Sequence, residues 1–294
     1  MSVDRRDFIK AAGVASLAAL AAGSLSYPAR GQEEKPVLKL SSQEGRIPGA
    51  ELKEKVDRMA EWGFVGIEPH GGGLPDRVDE FKAALDGTPI SLSAVCAGYQ
   101  GCVISHDEAE RKKAVDTIKV LLDAVGELGS TGLIVVPAFH GQTELSNQEA
   151  RPILVETLKD LGEHAIGAGT RILLEPLNRG ECFFLRLLAD AAAICRDVGS
   201  DGVAMMGDFY HMGIEETSDR GAFISAGDYL HHVHLASRRR VLPGQDDRSF
   251  VDGFRGLKEI GYTDYCSLEC GCDGDPLEEM PKSVAFLRDQ WEQA

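Results

Sequence analysis

Short apolar segments alternate with amphipathic segments along almost the whole chain, and this alternation restricts the fold more than any other feature. Most of the apolar segments are rich in valine, isoleucine and leucine, which is typical of strands buried on both faces of a parallel sheet. We predict eight such strands, at residues 37–41, 65–68, 90–95, 132–137, 171–175, 203–208, 232–236 and 265–269. Eight parallel strands, each followed by a helix, predict a single-domain α/β protein with a (β/α)8 barrel.

The segments between these strands include four with the apolar spacing of amphipathic helices, at residues 50–62, 107–128, 147–167 and 187–198. Glycine stands where a helix C-cap is expected after three of them, at Gly129, Gly169 and Gly199. A doubly wound open sheet has the same alternation and is the competing fold. Its usual phosphate-binding sequences, GxGxxG and GxxxxGK[ST], do not occur in the chain, so the barrel is the favoured prediction.

The first 29 residues are set apart from the predicted domain by their composition. Arg5 and Arg6 precede a stretch of small apolar residues that ends near Ala29. This arrangement resembles a twin-arginine export signal and predicts cleavage near Ala29. A short membrane-anchoring helix is the alternative, although the apolar stretch is shorter than the ~20 residues of a spanning helix. We therefore expect a signal peptide at 1–29, a barrel domain at 37–294, a periplasmic location and no stable membrane span after processing.

Charge and cysteine content exclude some classes of protein. The formal net charge of −16 opposes binding to a nucleic-acid backbone and is compatible with a small neutral ligand. The number of cysteines, seven, is odd and argues against a complete disulfide framework. We expect buried thiols that act as small apolar side chains. An oxidising compartment leaves a Cys270–Cys272 or a Cys96–Cys102 disulfide open.

Polar side chains stand at the ends of four consecutive predicted strands. The carboxyl ends of barrel strands meet at one face, where the functional residues of such folds gather. We predict that the side chains at these ends converge on one divalent metal ion, with the ligands Glu175, Asp208, His234 and Glu269. Three carboxylates and one imidazole favour Mn²⁺, with Mg²⁺, Co²⁺ or Zn²⁺ as alternatives, over a closed structural zinc site.

Two further residues near these ends have competing interpretations. Glu68 ends the second predicted strand and is either a partner in a salt bridge at the rim or a contact for substrate. His232 lies two residues before His234, so it shares that strand face one layer deeper. We expect His232 to be a hydrogen-bonded core histidine.

Four sequence motifs in order, LEPLNRGE, GDFYHM, HVHLASRRRVLPG and YCSLE, resemble the sugar isomerase/epimerase family of xylose isomerase-like TIM barrels. The resemblance covers essentially the whole chain after the leader and is strongest to the D-tagatose and D-psicose 3-epimerase branch. It implies that the four predicted ligands bind one metal ion and that Glu175 and Glu269 act as acid and base. It also implies substrate contacts by Glu181, His211 and Arg240, to which we add Glu68. By analogy, it implies a homodimer or a homotetramer.

The expected activity is metal-dependent isomerisation or epimerisation of an unphosphorylated ketose or aldose, by proton transfer through an enediolate. The alternative is a lyase or hydrolase that cleaves 3-keto-glycosides by the same enolate chemistry. A DNA-repair endonuclease on the same barrel would need several zinc ions and further histidines, and the acidic charge opposes it. A non-catalytic sugar-binding barrel would have no need of the complete ligand set.

Overall fold

The computed structural model describes residues 36–294, so the predicted signal peptide lies outside the described residues. Within this range, none of the helices has the length and hydrophobicity that a membrane crossing requires. All seven cysteines fall inside it and all are free, so neither disulfide that the sequence left open is formed. Five of the thiols are buried, as expected, and those of Cys96 and Cys272 are half-buried.

Nine strands form one parallel sheet in the order β3-β2-β1-β9-β8-β7-β6-β5-β4. The strands are β1 Lys39–Gln43, β2 Gly66–Glu68, β3 Ser91–Leu92, β4 Val95–Cys96, β5 Leu133–Val135, β6 Ile172–Leu174, β7 Val203–Asp208, β8 Leu230–Leu235 and β9 Tyr265–Leu268. Strands β3 and β4 together are the third predicted strand. Its first half pairs with β2 and its second half with β5.

Ser93 connects the two halves and closes the ring of strands. Its backbone N–H donates to Ile67 O at 2.9 Å, and its carbonyl oxygen accepts from Thr131 N at 3.0 Å. One segment of chain therefore joins both ends of the sheet. This confirms the predicted single-domain (β/α)8 barrel and excludes the doubly wound sheet within the described residues.

The helices follow the strands and surround the barrel. They are α1 Leu52–Trp62, α2 Val78–Leu85, α3 Glu108–Glu127, α4 Asn147–Ala168, α5 Leu188–Val198, α6 Phe209–Glu215, α7 Asp219–Ala226, α8 Val251–Glu259 and α9 Pro276–Gln293. The four predicted helices are confirmed to within two residues at each end. Gly169 and Gly199 are C-caps in the left-handed conformation, whereas Leu128 caps α3 and Gly129 follows it.

The interior of the barrel is packed, and its side-chain alternation determines which residues reach the open end. Ile134, Leu173 and Met206 belong to a small buried cluster, while their strand neighbours belong to the larger core shared with the helices. Glu175 follows Leu173 by two residues and Asp208 follows Met206 by two. Because successive side chains alternate between faces, both carboxylates continue the inward-facing rows at the carboxyl ends of their strands.

Candidate metal centre and active site

The four predicted metal ligands meet at the carboxyl end of the barrel. Glu175 follows β6, Asp208 ends β7, His234 lies in β8 and Glu269 follows β9. One ligand atom from each lies within 4.8 Å of the others. His234 Nδ1 is 3.3 Å from Glu269 Oε2 and 3.8 Å from both Asp208 Oδ2 and Glu175 Oε1. The sequence therefore identified a real cluster of potential ligands.

Two unpartnered atoms make this cluster suited to a cation. His234 Nδ1 and Asp208 Oδ2 are buried and form no hydrogen bond with any described residue. Native proteins rarely leave buried polar atoms without a partner. Oxygen and imidazole donors that converge without protein partners fit a divalent metal ion, which satisfies all of them at once.

The pKa shifts of the side chains in the cluster also indicate that the site favours a cation. Burial raises the pKa of Glu175 well above its usual value, and the negative charges of Glu269 and Asp208 raise it further. Burial also opposes ionisation of Glu269, but His234 and Arg240 outweigh it and hold the pKa of that carboxyl well below its usual range. Although burial lowers the pKa of His234, Glu68 and Glu269 raise it well above that of a free imidazole. The negative potential at this point favours any cation.

Glu68 is fully buried behind His234 and accepts hydrogen bonds from three side chains. His232 Nε2 lies 2.8 Å from it, His234 Nε2 3.0 Å and Gln43 Nε2 3.1 Å. Because His234 Nε2 donates to Glu68, Nδ1 is the nitrogen that would lose its proton and ligate when a cation binds among the other three potential ligands. A carboxylate that holds a ligating histidine in this way fixes its tautomer and its orientation. Such a position allows Glu68 to act on the centre through His234.

His232 is fully buried, as the sequence predicted for a core histidine, and its Nε2 is bonded to Glu68. Its Nδ1 has no partner among the described residues. Burial lowers the pKa of His232, so its ring is neutral at physiological pH and Nε2 is the donor to Glu68.

Gln43 is a site residue that the sequence analysis missed. Its Nε2 donates to Glu269 Oε1 at 3.0 Å as well as to Glu68. It therefore connects the carboxylate behind the histidine to one of the predicted acid–base residues. The prediction ended β1 at residue 41, whereas the strand continues to Gln43. A prediction that extended β1 to residue 43 would have placed Gln43 beside the centre.

His211 has a defined hydrogen-bonding state because of Asn178. The backbone N–H of Asn178 donates to His211 Nδ1 at 3.2 Å, and its side-chain Nδ2 lies 2.7 Å from the same atom. Gly180 N donates to Asn178 Oδ1, which orients the amide with Nδ2 towards the ring. Nδ1 therefore accepts, and the proton of the neutral ring is on Nε2. That Nε2–H is buried, has no partner among the described residues and lies 3.7 Å from Asp208 Oδ2.

Arg240 spans the side of the centre formed by β6 to β9. Its Nη2 donates to Glu269 Oε2 at 2.8 Å, and its Nη1 lies 3.5 Å from Glu181 Oε1. The guanidinium stacks over the Tyr210 ring at 4.9 Å from its centroid. Arg240 also has a φ of +56°, which is costly for a residue with a side chain and is often found at functional sites. Glu181, His211 and Arg240 thus lie together around the four potential metal ligands.

Comparisons with known proteins identify a family and several relatives of this chain. The family model described as Xylose isomerase-like TIM barrel matches residues 56–290. The chain is 32% identical over 261 residues to 3-dehydro-D-guloside 4-epimerase of Escherichia coli, covering 85% of this chain and 99% of that protein. It is 28% identical over 231 residues to D-psicose 3-epimerase of Ruminiclostridium cellulolyticum, covering 75% and 78%. The apo structure of 3-keto-D-glucoside 4-epimerase from E. coli superposes with a TM-score of 0.81 at 30% identity, covering 86% and 100%.

Proposed function

The chain belongs to the xylose isomerase-like TIM barrel family, and on this premise we propose that it is a sugar epimerase that inverts a carbon beside a carbonyl group. The observation that carries the proposal is the meeting of Glu175 and Glu269 in one cluster that could hold a metal ion. Their strands, β6 and β9, are separated in the sheet by β7 and β8. The two carboxylates therefore reach the centre from different walls of the barrel.

We infer that Glu175, Asp208, His234 and Glu269 hold one divalent cation, with Mn²⁺ the first candidate. When bound, such an ion stabilises negative charge that develops on the oxygens of the substrate. The donor set supports this assignment because its hard oxygen ligands outnumber its single imidazole.

The acid–base step follows from the two glutamates. One carboxylate removes the proton from the carbon beside the carbonyl, and the electron pair of that C–H bond forms the enediolate. The other carboxylate delivers a proton to the opposite face, which restores the carbonyl and inverts the centre. His211 Nε2–H donates a hydrogen bond to the carbonyl oxygen, where negative charge accumulates. Arg240 and Glu181 orient the neighbouring hydroxyl groups.

The substrate class is an unphosphorylated keto sugar or a keto-glycoside. The relatives support both, since they include ketose 3-epimerases and a 4-epimerase of a 3-dehydro-glycoside.

Deuterium exchange tests the activity directly. The Mn²⁺-loaded protein is incubated in D₂O with ketoses, aldoses and 3-keto-glycosides, and the products are followed by NMR. We expect deuterium beside the carbonyl together with a new epimer, and we expect Glu175→Gln to lose both while it retains the fold. Glu163→Gln, which removes an exposed charge on α4, is the matched control. Aglycone release without an epimer would indicate a lyase, and full activity of Glu175→Gln would remove Glu175 from the mechanism.

We also propose export through the twin-arginine signal at residues 1–29, with the barrel domain at 37–294 as the exported enzyme. The paired Arg5 and Arg6 support it. Replacement of both by lysine should retain the full-length chain in the cytoplasm, which fractionation and N-terminal sequencing would detect. Periplasmic protein in normal amounts from that variant would contradict the proposal. The homodimer or homotetramer stays a prediction by analogy.

A further inference from the structure

A recess adjoins the proposed active site on the other side of the barrel mouth. It has a volume of about 230 Å³ and is lined by Gln43, Gly45, Arg46, Glu68, His70 and Cys96. These residues lie in or just after β1, β2 and β4, whereas the metal ligands come from β6 to β9. Gln43 joins the two regions, because its side chain lines the recess and donates to Glu269 at 3.0 Å. The recess therefore lies beside the proposed centre, one side chain away from Glu269.

Arg46 contributes a guanidinium without a partner to the recess. Its side chain is exposed and forms no ion pair or hydrogen bond with any residue between 36 and 294. Neighbouring carboxylates are already engaged. Glu44 is bound by Arg77 at 2.9 Å, and Glu68 is bound by the buried histidines. The donors of Arg46 are thus available to a ligand.

His70 and Gln43 add further hydrogen-bonding groups. His70 Nδ1 accepts from Gly72 N at 3.0 Å, so the proton of the neutral ring is on Nε2, which is a donor. Gln43 uses its Nε2 for Glu68 and Glu269, which leaves its carbonyl oxygen as an acceptor. Donors and an acceptor around a small recess fit the hydroxyl groups of a carbohydrate. The carboxylate of Glu68, which also lines the recess, opposes a second anionic group beside it.

We propose that this recess is a subsite for a hydroxyl-rich substituent on the sugar that reacts, so that the substrate is a glycoside of a second sugar and not a free monosaccharide. The inference rests on the proposed epimerase function and specifies its substrate class. The recess is smaller than the roughly 300–1,000 Å³ of drug-sized pockets, which suits one further sugar unit.

Gly45 offers a way to close the recess without strain. A Cβ built on this residue meets nothing within 4 Å, and its φ lies outside the left-handed region. Gly45→Leu should therefore fill space in the recess and leave the barrel intact. Arg46→Met removes the guanidinium and keeps most of the length of the side chain. Arg196→Met, on the exposed surface of α5, is the matched control.

The test compares kcat/KM for a 3-keto-disaccharide with that for the 3-keto methyl glycoside of the same reacting sugar. We expect wild type and Arg196→Met to prefer the disaccharide, and we expect Arg46→Met and Gly45→Leu to lower this preference about ten-fold. A third substrate with a uronyl substituent tests for charge. Stronger preference for the uronyl compound would overturn the neutral assignment, and equal preference ratios in all four proteins would overturn the subsite.

Binding separates this inference from the epimerase proposal. Titration calorimetry with the unoxidised disaccharide and with the unoxidised methyl glycoside requires no turnover. Tighter binding of the disaccharide that Arg46→Met and Gly45→Leu abolish would support the subsite even if no epimer formed. Equal binding of the two compounds to the wild-type protein would reject the subsite even if the enzyme were an epimerase.

Discussion

Glu68 is buried, yet its charge bears on the proposed metal centre through the ring of His234. Glu68→Gln keeps the shape of the side chain but removes the negative charge and replaces one acceptor oxygen with a donor. We expect the affinity for Mn²⁺ to fall about 10- to 100-fold, because supporting carboxylates of ligating histidines have effects of this size. Titration calorimetry of the metal-free protein measures this, with Glu163→Gln as the control. An unchanged affinity together with a normal circular dichroism spectrum would contradict the role.

Asn178 acts on the proposed reaction through His211. Asn178→Asp preserves the acceptor for Gly180 N but removes the amide donor that lies 2.7 Å from His211 Nδ1 and 3.0 Å from Glu181 Oε1. We expect kcat to fall roughly 10- to 100-fold with a smaller change in KM, because a misaligned donor affects the transition state more than the ground state. Steady-state kinetics on the substrate found by deuterium exchange measures both. A change confined to KM would assign Asn178 to substrate binding alone.

The sequence could place ligands but not the residues that support them. Glu175, Asp208, His234 and Glu269 are identifiable because each stands at or near the end of an apolar strand. Asn178 lies in the same motif as Glu175, but its partner His211 is 33 residues away, and only the folded chain brings them together. Strand periodicity predicts which residues face the barrel axis. It does not predict hydrogen bonds between side chains on different loops.

Among the elements, helix α6 holds the predicted ligand Asp208 at a second point, in addition to strand β7. Asp208 ends β7 and is also the N-cap of α6, since its Oδ1 accepts from Tyr210 N at 2.6 Å. Its other oxygen, Oδ2, is thereby directed to the centre. Phe209 begins the helix and lies beneath the guanidinium of Arg248, which is 5.3 Å from the ring centroid. Arg248 is itself bound to Asp219 at the start of α7 by contacts of 2.9 and 3.1 Å.

Breaking that ion pair should loosen α6 and α7. Burial raises the pKa of Asp219 in spite of Arg248, so the pair as a whole adds little net stability. Removing one partner is different, because it leaves a mostly buried carboxylate without its donors. Arg248→Met should lower the free energy of unfolding by about 2 kcal/mol, and the double variant Arg248→Met/Asp219→Leu should recover part of the loss. Urea denaturation measures both. Equal stability of the single variant and the wild type would refute the prediction.

Strand boundaries were the least predictable part of the elements, for a physical reason. The apolar run that begins at Val37 predicted a strand at 37–41, but β1 is Lys39–Gln43. Its last three residues are polar and are held by pairing with β2, where Gln43 lies opposite Glu68. Pairing with neighbouring strands, and not hydrophobicity, decides where a short barrel strand ends. The split of the third strand at Ser93 has the same origin.

For the molecule as a whole, the metal ion is expected to join the ends of four strands, three of which present mutually repelling carboxylates. Removal of the metal with a chelator should lower the melting temperature, and return of Mn²⁺ at about 100 times its Kd should restore roughly 5 °C, which corresponds to about 2.7 kcal/mol. Differential scanning fluorimetry measures the shift, and Co²⁺ should give a larger shift than Mn²⁺ at equal concentration. His234→Asn is the informative variant, because it removes the imidazole whose unpartnered Nδ1 faces the three carboxylates. The same shift in that variant would show that the ion binds elsewhere on this acidic protein, whereas its loss would assign the stabilisation to the barrel mouth.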